Sequence, residues 1–314
     1  MIYVTGSLAF DFIMDFPGRF ADQIVPEKVH VMSISFLVET LRESFGGTAG
    51  NIAYNLALLG QPVSVVATGG KDFRPYERNL KKHGVTTGSI QITTQDFTAR
   101  AFITTDLSDN QIAGFYPGAM RLDKTLHIPR VVSENDFVVI APTDPAAMDQ
   151  FINECIERNI PFMFDPGMQL PRLSIDTLQK GVEHAKIVIG NDYEIALINL
   201  KLKTKKEKRQ VKNKNSTIII TTLGEKGSIV EQDNERFVIR AAKAVKIVDP
   251  TGAGDAYRAG FLAGFIRGLP LKTCGQIGSV AAVYAVENYG TIEHSYRLEQ
   301  FKKRYQEEFG LMIE

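Results

Sequence analysis

A chain of 314 residues with 44% hydrophobic and 23% charged content can bury a large core, as one big α/β domain or two smaller ones. Lys plus Arg equals Asp plus Glu at 36 each, so no global field recruits nucleic acid or an anionic membrane. No apolar stretch reaches the roughly 18 residues that a bilayer-spanning helix needs.

Cys155 and Cys274 lie far apart in segments that read as helices, which fits a reducing compartment better than a disulfide framework. Asp11 and Asp15 interrupt the first apolar run, so it is not a signal peptide. A cytoplasmic location is expected.

The predicted elements alternate along the chain. Ile2–Thr5 reads as a strand, Asn51–Leu59 as a helix, Val63–Ala67 as a strand and Tyr76–His83 as a helix. Further strands are expected at Phe137–Ala141, Pro161–Asp165, Lys186–Gly190, Thr217–Thr222 and Ala244–Val248. Between them, Ala146–Asn159, Ile175–Ala185 and Tyr193–Leu200 have helical spacing, and Ala256–Arg267 carries a buried stripe of Phe261, Leu262, Phe265 and Ile266. Most strands are continuous apolar runs, as in sheets covered on both faces. The fold class is therefore α/β, a mostly parallel sheet flanked by helices.

Two stretches break the rhythm. Asp11–Phe45 has no clean helix but scattered aromatics, a Pro-Gly turn and alternating Val29 and Val31. Thr98–Phe115 alternates at Ala101, Ile103 and Thr105, with Asp106–Asn110 as a hairpin turn. Both read as antiparallel strands of one accessory sheet folded over the site. The resulting division is core 1–10, lid 11–45, core 46–97, lid 98–120 and core 121–314. Lys201–Lys214 holds eight basic residues and one acidic, Glu207. It has no aromatics and no apolar face, so it reads as a solvated helix end and loop rather than a nucleic-acid arm.

The strongest chemical signal is Asp249-Pro250-Thr251-Gly252-Ala253-Gly254-Asp255, at a strand-to-helix turn. Two glycines and an alanine leave backbone N–H groups bare at the positive end of a helix, which binds anions such as phosphate. Asp255 would repel such an anion, so its presence makes sense if it takes a proton from an attacking hydroxyl. A stabilising carboxylate at a helix N-terminus is the simpler alternative. Gly46-Gly47-Thr48-Ala49-Gly50-Asn51 is a second glycine-rich turn, and Asn51 suits either a sugar hydroxyl or a helix cap. Asn191 and Glu194 follow a strand, where α/β sheets bind ligands; Glu194 suits hydrated Mg²⁺ or a capping box with Asn191. Thr222-Leu223-Gly224-Glu225-Lys226-Gly227 is a tight turn between two strands.

A Walker A pattern is missing, as is G-x-G-x-x-G after the first strand, so P-loop and dinucleotide-binding readings lose their support. His30, His83, His127, His184 and His294 have no metal-ligand spacing.

Taken together, these motifs resemble the ribokinase-like (PfkB) carbohydrate and nucleoside kinase family over essentially the whole chain. The resemblance implies a β lid over the acceptor site, Asp255 as base, and Gly252, Ala253 and Gly254 as the hole for a transferring phosphoryl group. It implies ATP and Mg²⁺, with Asn191 and Glu194 organising the ion through water. Thr222, Gly224 and Gly227 would line the ATP site, with Asn288 and Gly290 near the adenine. Asp11, Gly46, Gly47 and Asn51 match positions that hold the acceptor. A monovalent cation near Asp249 and Thr251, and a monomer or a homodimer through the lid, are further family possibilities.

For the acceptor, sugar-phosphate kinases of this family often carry Lys where this chain has Thr48. Phe97, Phe102, Phe115 and Tyr116 offer aromatic faces for a planar base, and Arg100 is a possible phosphate ligand. Ala9, where ribokinase-type members tend to carry Asn, is a departure from that branch. Segments 98–106, 110–120 and 255–260 look like bacterial adenosine kinase-like members. A nucleoside, above all adenosine, is the leading expectation, ahead of a sugar kinase or a non-catalytic ligand sensor.

Overall fold

A computed structural model describes residues 1–24, 31, 33–108, 110–130, 136–203 and 216–313. Val29, His30 and most of the basic stretch, 204–214, lie outside the described residues. In chain order the strands are β1 (Ile2–Thr5), β2 (Ala9–Asp15), β3 (Thr40–Gly46), β4 (Val63–Gly69), β5 (Ile90–Ile92), β6 (Ala99–Thr105), β7 (Gln111–Tyr116), β8 (Phe137–Ile140), β9 (Phe162–Phe164), β10 (Ile187–Asn191), β11 (Ile218–Thr222), β12 (Ser228–Gln232) and β13 (Glu235–Ile239). The helices are α1 (Phe20–Gln23), α2 (Thr48–Leu58), α3 (Arg74–Lys82), α4 (Pro145–Glu157), α5 (Ile175–His184), α6 (Asp192–Lys203), α7 (Ala253–Ile266), α8 (Leu271–Val286) and α9 (Leu298–Phe309).

The main sheet has the order β13-β12-β11-β10-β9-β8-β1-β4-β5, parallel from β11 to β5 and antiparallel only at the β12 and β13 edge. Strand alternation divides its core in two. Val65, Val139 and Ile189 face α2, α7, α8 and α9, whereas Val66, Val138 and Val188 face α4, α5 and α6. Both faces are covered, so the C-terminal edge of the parallel strands is where polar groups can meet a ligand.

The lid is a second sheet of order β3-β2-β6-β7. Its outer pairs are antiparallel, and its central pair, β2 with β6, is parallel. Its strands run slightly beyond the expected segments, from Ala9 to Gly46 and from Ala99 to Tyr116.

The predicted strand at Ala244–Val248 does not form. Val245 and Ile247 are 92% and 72% exposed, with no neighbouring strand, and the N–H groups of Val248 and Asp249 donate to the Val286 carbonyl at the end of α8. The segment is an irregular approach to α7. The stretch between β2 and β3 also contains the short helix α1, which the scattered aromatics hid.

Candidate active site

α7 begins at Gly252, whose φ of +80° puts the capping residue in the left-handed region that favours glycine. Asp249 ties down the approach: its Oδ1 accepts from Thr251 N at 2.9 Å and its Oδ2 from Gly290 N at 3.1 Å. Ala253 N donates to Pro250 O at 3.2 Å. The next first-turn N–H groups, of Gly254 and Asp255, have no acceptor within the helix, an arrangement that suits an anion.

Asp255 sits half-buried in the first turn of α7. Asn51, buried in the second turn of α2, donates from Nδ2 to Asp255 Oδ2 at 2.8 Å. α2 starts at Thr48 behind Gly47, so Asn51 is an interior residue and not the helix cap. Its other amide atom, Oδ1, accepts from Thr291 Oγ1 at 2.7 Å, and the same hydroxyl lies 2.8 Å from the carbonyl of Phe45 in β3. Thr291 thus orients the Asn51 amide and joins it to the lid. Burial, set against the Arg258 cation and the Asn51 bond and aided by Asp165, holds the Asp255 pKa up at about 6.

Asp11 projects from β2 on the same side. Its carboxylate packs so closely on Gly46 that a Cβ there would lie 2.0 Å from Oδ2. Burial, then the charges of Asp255 and Asp249, push its pKa up to about 6. Two carboxylates with raised pKa values in one cleft suit proton transfer and hydroxyl binding.

Across the sheet edge, Asn191 ends β10 and pairs in register with Thr222 at the end of β11. Asn191 and Glu194 form the reciprocal capping box: Glu194 N donates to Asn191 Oδ1 and Asn191 N to Glu194 Oε2, each at 2.8 Å. Burial raises the Glu194 pKa against the Asn191 N–H bond, with Asp165 adding to the rise and Arg258 opposing it. A carboxylate disfavoured in this way, with only one oxygen engaged by the cap, is suited to a hydrated divalent cation. Gly224 and Gly227 shape the β11–β12 turn at φ +59° and +92°. Asn288 follows α8, its Nδ2 donating to Tyr284 O at 2.9 Å, and Gly290 follows at φ +75°.

The lid residues divide between its two faces. Asp11 pairs with Ala101 and Ala101 with Phe115, so these share the face that looks toward Asp255. Arg100, Phe102 and Tyr116, also expected beside the acceptor, alternate onto the face opposite Asp11. There Phe102 stacks on Phe12 at 5.1 Å, and Tyr116 donates to Asp96 Oδ1 at 2.7 Å. Arg100 pairs with Asp72 Oδ2 at 2.7 Å and lies 4.2 Å from the Phe97 ring centroid. Phe97, which precedes β6, is thus part of the same outer cluster. On Asp11's own face, Arg42 is engaged by Asp15 at 3.3 Å and by the Tyr289 ring at 4.4 Å.

Three participants escaped the motif reading. Thr291 meets Asn51 across 240 residues, and Arg258 meets Asp165 across 93. Arg258 stood in a quoted segment, but nothing local to it names its partner. Cys155 and Cys274 are free and buried, and among the described residues no His, Cys, Asp or Glu cluster is built to hold a metal directly. No described helix is long and apolar enough to cross a membrane.

A parallel α/β core with bare N–H groups at a helix start, a carboxylate beside them and a β lid above is the architecture of a kinase of the ribokinase-like fold. Residues 16–297 match the pfkB family of carbohydrate kinases, and the chain belongs to that family of ATP-dependent kinases. A nucleoside kinase of Methanocaldococcus jannaschii is 33% identical over 273 residues, 84% of this chain and 86% of the relative. The structure of Burkholderia thailandensis nucleoside kinase in complex with inosine is similar over 99% of both chains, with TM-score 0.88 and 32% identity. Ribokinase from Thermotoga maritima, at 22% identity and TM-score 0.78 over 98% of this chain and 99% of its own, shares the fold.

Proposed function

We propose that this chain transfers the γ-phosphoryl group of ATP to the primary 5′-hydroxyl of a nucleoside, with Asp255 as general base. The observation that carries the reading is Asp255 itself: a carboxylate with a pKa near 6, hydrogen-bonded to Asn51, beside bare N–H groups at the start of α7. A group titrating there is ionised at neutral pH yet basic enough to accept a hydroxyl proton as the oxygen attacks. In the Gly252–Gly254 turn, Gly252 and Ala253 would shape the loop and the bare N–H groups of Gly254 and Asp255 would stabilise charge on the phosphoryl oxygens. Asp11, Gly46, Gly47 and Asn51 would hold the ribose hydroxyls. Asn191, Thr222, Gly224, Gly227, Asn288 and Gly290 would line the ATP site. Glu194 would hold Mg²⁺ through water, and that ion would neutralise phosphate charge.

Lid segments 11–45 and 98–120 would close over the acceptor and exclude water, the competing nucleophile. The lid face around Asp11 supports a nucleoside over a sugar phosphate. Ala101 and Phe115 offer an apolar surface for a base, and the lid cations Arg42 and Arg100 are already engaged. The relatives' descriptions as nucleoside kinases, one with inosine bound, support the same choice and make a purine nucleoside, adenosine or inosine, the expected acceptor.

The test is product formation from ATP and Mg²⁺ with adenosine, inosine, cytidine, ribose, fructose and fructose 6-phosphate, read by chromatography. Nucleoside 5′-monophosphate is the expected product. Turnover of fructose 6-phosphate with no nucleoside turnover would overturn the acceptor assignment.

A further inference from the structure

Arg258 lies one helical turn beyond Asp255 on α7 and is 8% exposed. Its guanidinium pairs with Asp165, the residue after β9: Nη2 donates to Oδ1 at 3.1 Å, and Nε stands 2.5 Å from Oδ2 as an ion-pair contact. Its remaining nitrogen, Nη1, lies against the anion loop: a Cβ built on Gly254 would stand 2.7 Å from it. Gly254 is helical and does not have the positive φ of Gly252, so its missing side chain serves space and not backbone freedom. The glycine leaves room for the cation.

We propose that Arg258, clamped by Asp165, is a positioning residue whose buried charge sits behind the anion loop and keeps Asp255 ionised for proton abstraction. The inference rests on the kinase reading above and deepens it. A guanidinium hydrogen-bonded through Nη2 and in ion-pair contact through Nε with one carboxylate is held in one orientation, which a flexible ammonium does not match. Burying Arg258 works against its charge, but Asp165 and Asp255 outweigh that and raise its pKa, with Glu194 adding to the rise. One cation therefore serves three carboxylates: Asp165 by direct contact, Asp255 on its own helix and Glu194 on α6.

The groups that face Asp255 set the sign of the effect. Asn51 from α2 donates to it, while Asp11 from β2 and Asp165 after β9 repel its negative form. Asp255 in turn disfavours ionisation of Tyr76 on α3, and Asp249 acts on the same side through Asp11. Among the described residues, Arg258 is the cation that lowers the Asp255 pKa.

Removing it therefore raises the Asp255 pKa, and removing the Asp165 charge lowers it. In pH profiles of nucleoside kcat/KM, Arg258→Met is expected to move the acid limb upward by about two pH units, which cuts kcat/KM about tenfold at pH 7. Arg258→Lys is expected to keep the midpoint and lose only part of kcat. Asp165→Asn is expected to move the limb downward. Purely structural damage lowers kcat without moving either midpoint.

Unchanged midpoints, or shifts of the same sign in Arg258→Met and Asp165→Asn, overturn the proposal. Should Arg258→Met fail to fold, Asp165→Asn decides by the same criterion. Carbon NMR titration of the Asp255 carboxyl gives the comparison without turnover, so an inactive wild-type chain would refute the kinase reading while leaving this one open to its own test.

Discussion

Replacing Asp255 by Asn is expected to damage catalysis and stabilise the fold together. In the folded chain the carboxyl is displaced from 3.8 to about 6, chiefly by burial. Because the folded pKa lies above the unfolded one, the native state holds its proton longer. The penalty is absent below the unfolded value, grows as pH rises between the two and is complete above the folded value. At 1.36 kcal/mol per pH unit, it amounts to about 3 kcal/mol near pH 8 and about half of that near pH 5. Asn has the same shape, carries no charge and still offers an oxygen to Asn51. Asp255→Asn should therefore gain up to about 3 kcal/mol near pH 8, roughly 5 °C in melting temperature for a chain of this size, and about half as much near pH 5. Its kcat should fall at least about 10²-fold, the lower end for loss of a general base. Melting curves at both pH values and steady-state kinetics with nucleoside and ATP test both halves. A variant with unchanged kcat refutes the base assignment, and a stability gain independent of pH refutes the electrostatic account.

Thr291→Val removes the hydroxyl that orients Asn51, so kcat should fall about tenfold and stability by about 1–2 kcal/mol, with Thr291→Ser restoring most of both. Equal loss in the two variants would assign Thr291 to packing alone. Gly252→Ala forces a side chain into φ +80° with its Cβ 3.0 Å from Thr291 Cα, and should cost about 1–3 kcal/mol by denaturant titration. Arg100→Met, on the lid face away from Asp11, should leave the acceptor KM within about threefold, whereas Asp11→Asn should raise it about tenfold or more. A large KM rise for Arg100→Met would return that residue to the acceptor site.

Much of the fold was legible because its signals are local. Val63–Ala67 is apolar at every position but Ser64, and the observed strand is buried along its whole length. Asn191 and Glu194 announced a capping box by spacing alone, and both bonds are present. The same logic misread Ala244–Val248, because an apolar run forms a strand only where another strand can take its hydrogen bonds. Val245 and Ile247 instead lie open to solvent. The lid residues show a second limit. Alternation states that Arg100 and Phe102 share a face, but which face of β6 meets Asp11 depends on the pairing of β6 with β2, strands some 90 positions apart.

The amino-acid sequence by itself determined the helix start at Gly252–Asp255, since a left-handed glycine cap and bare first-turn N–H groups arise within a few residues. It likewise set the alternation of buried strands and helices that makes the α/β core. Only the tertiary structure decided what surrounds Asp255: Asn51 oriented by Thr291, Asp11 brought down by the lid, and Arg258 locked to Asp165. Those partners come from distant parts of the chain, and burial and charge act through space. The proton affinity of the carboxylate is therefore a property of the assembled fold.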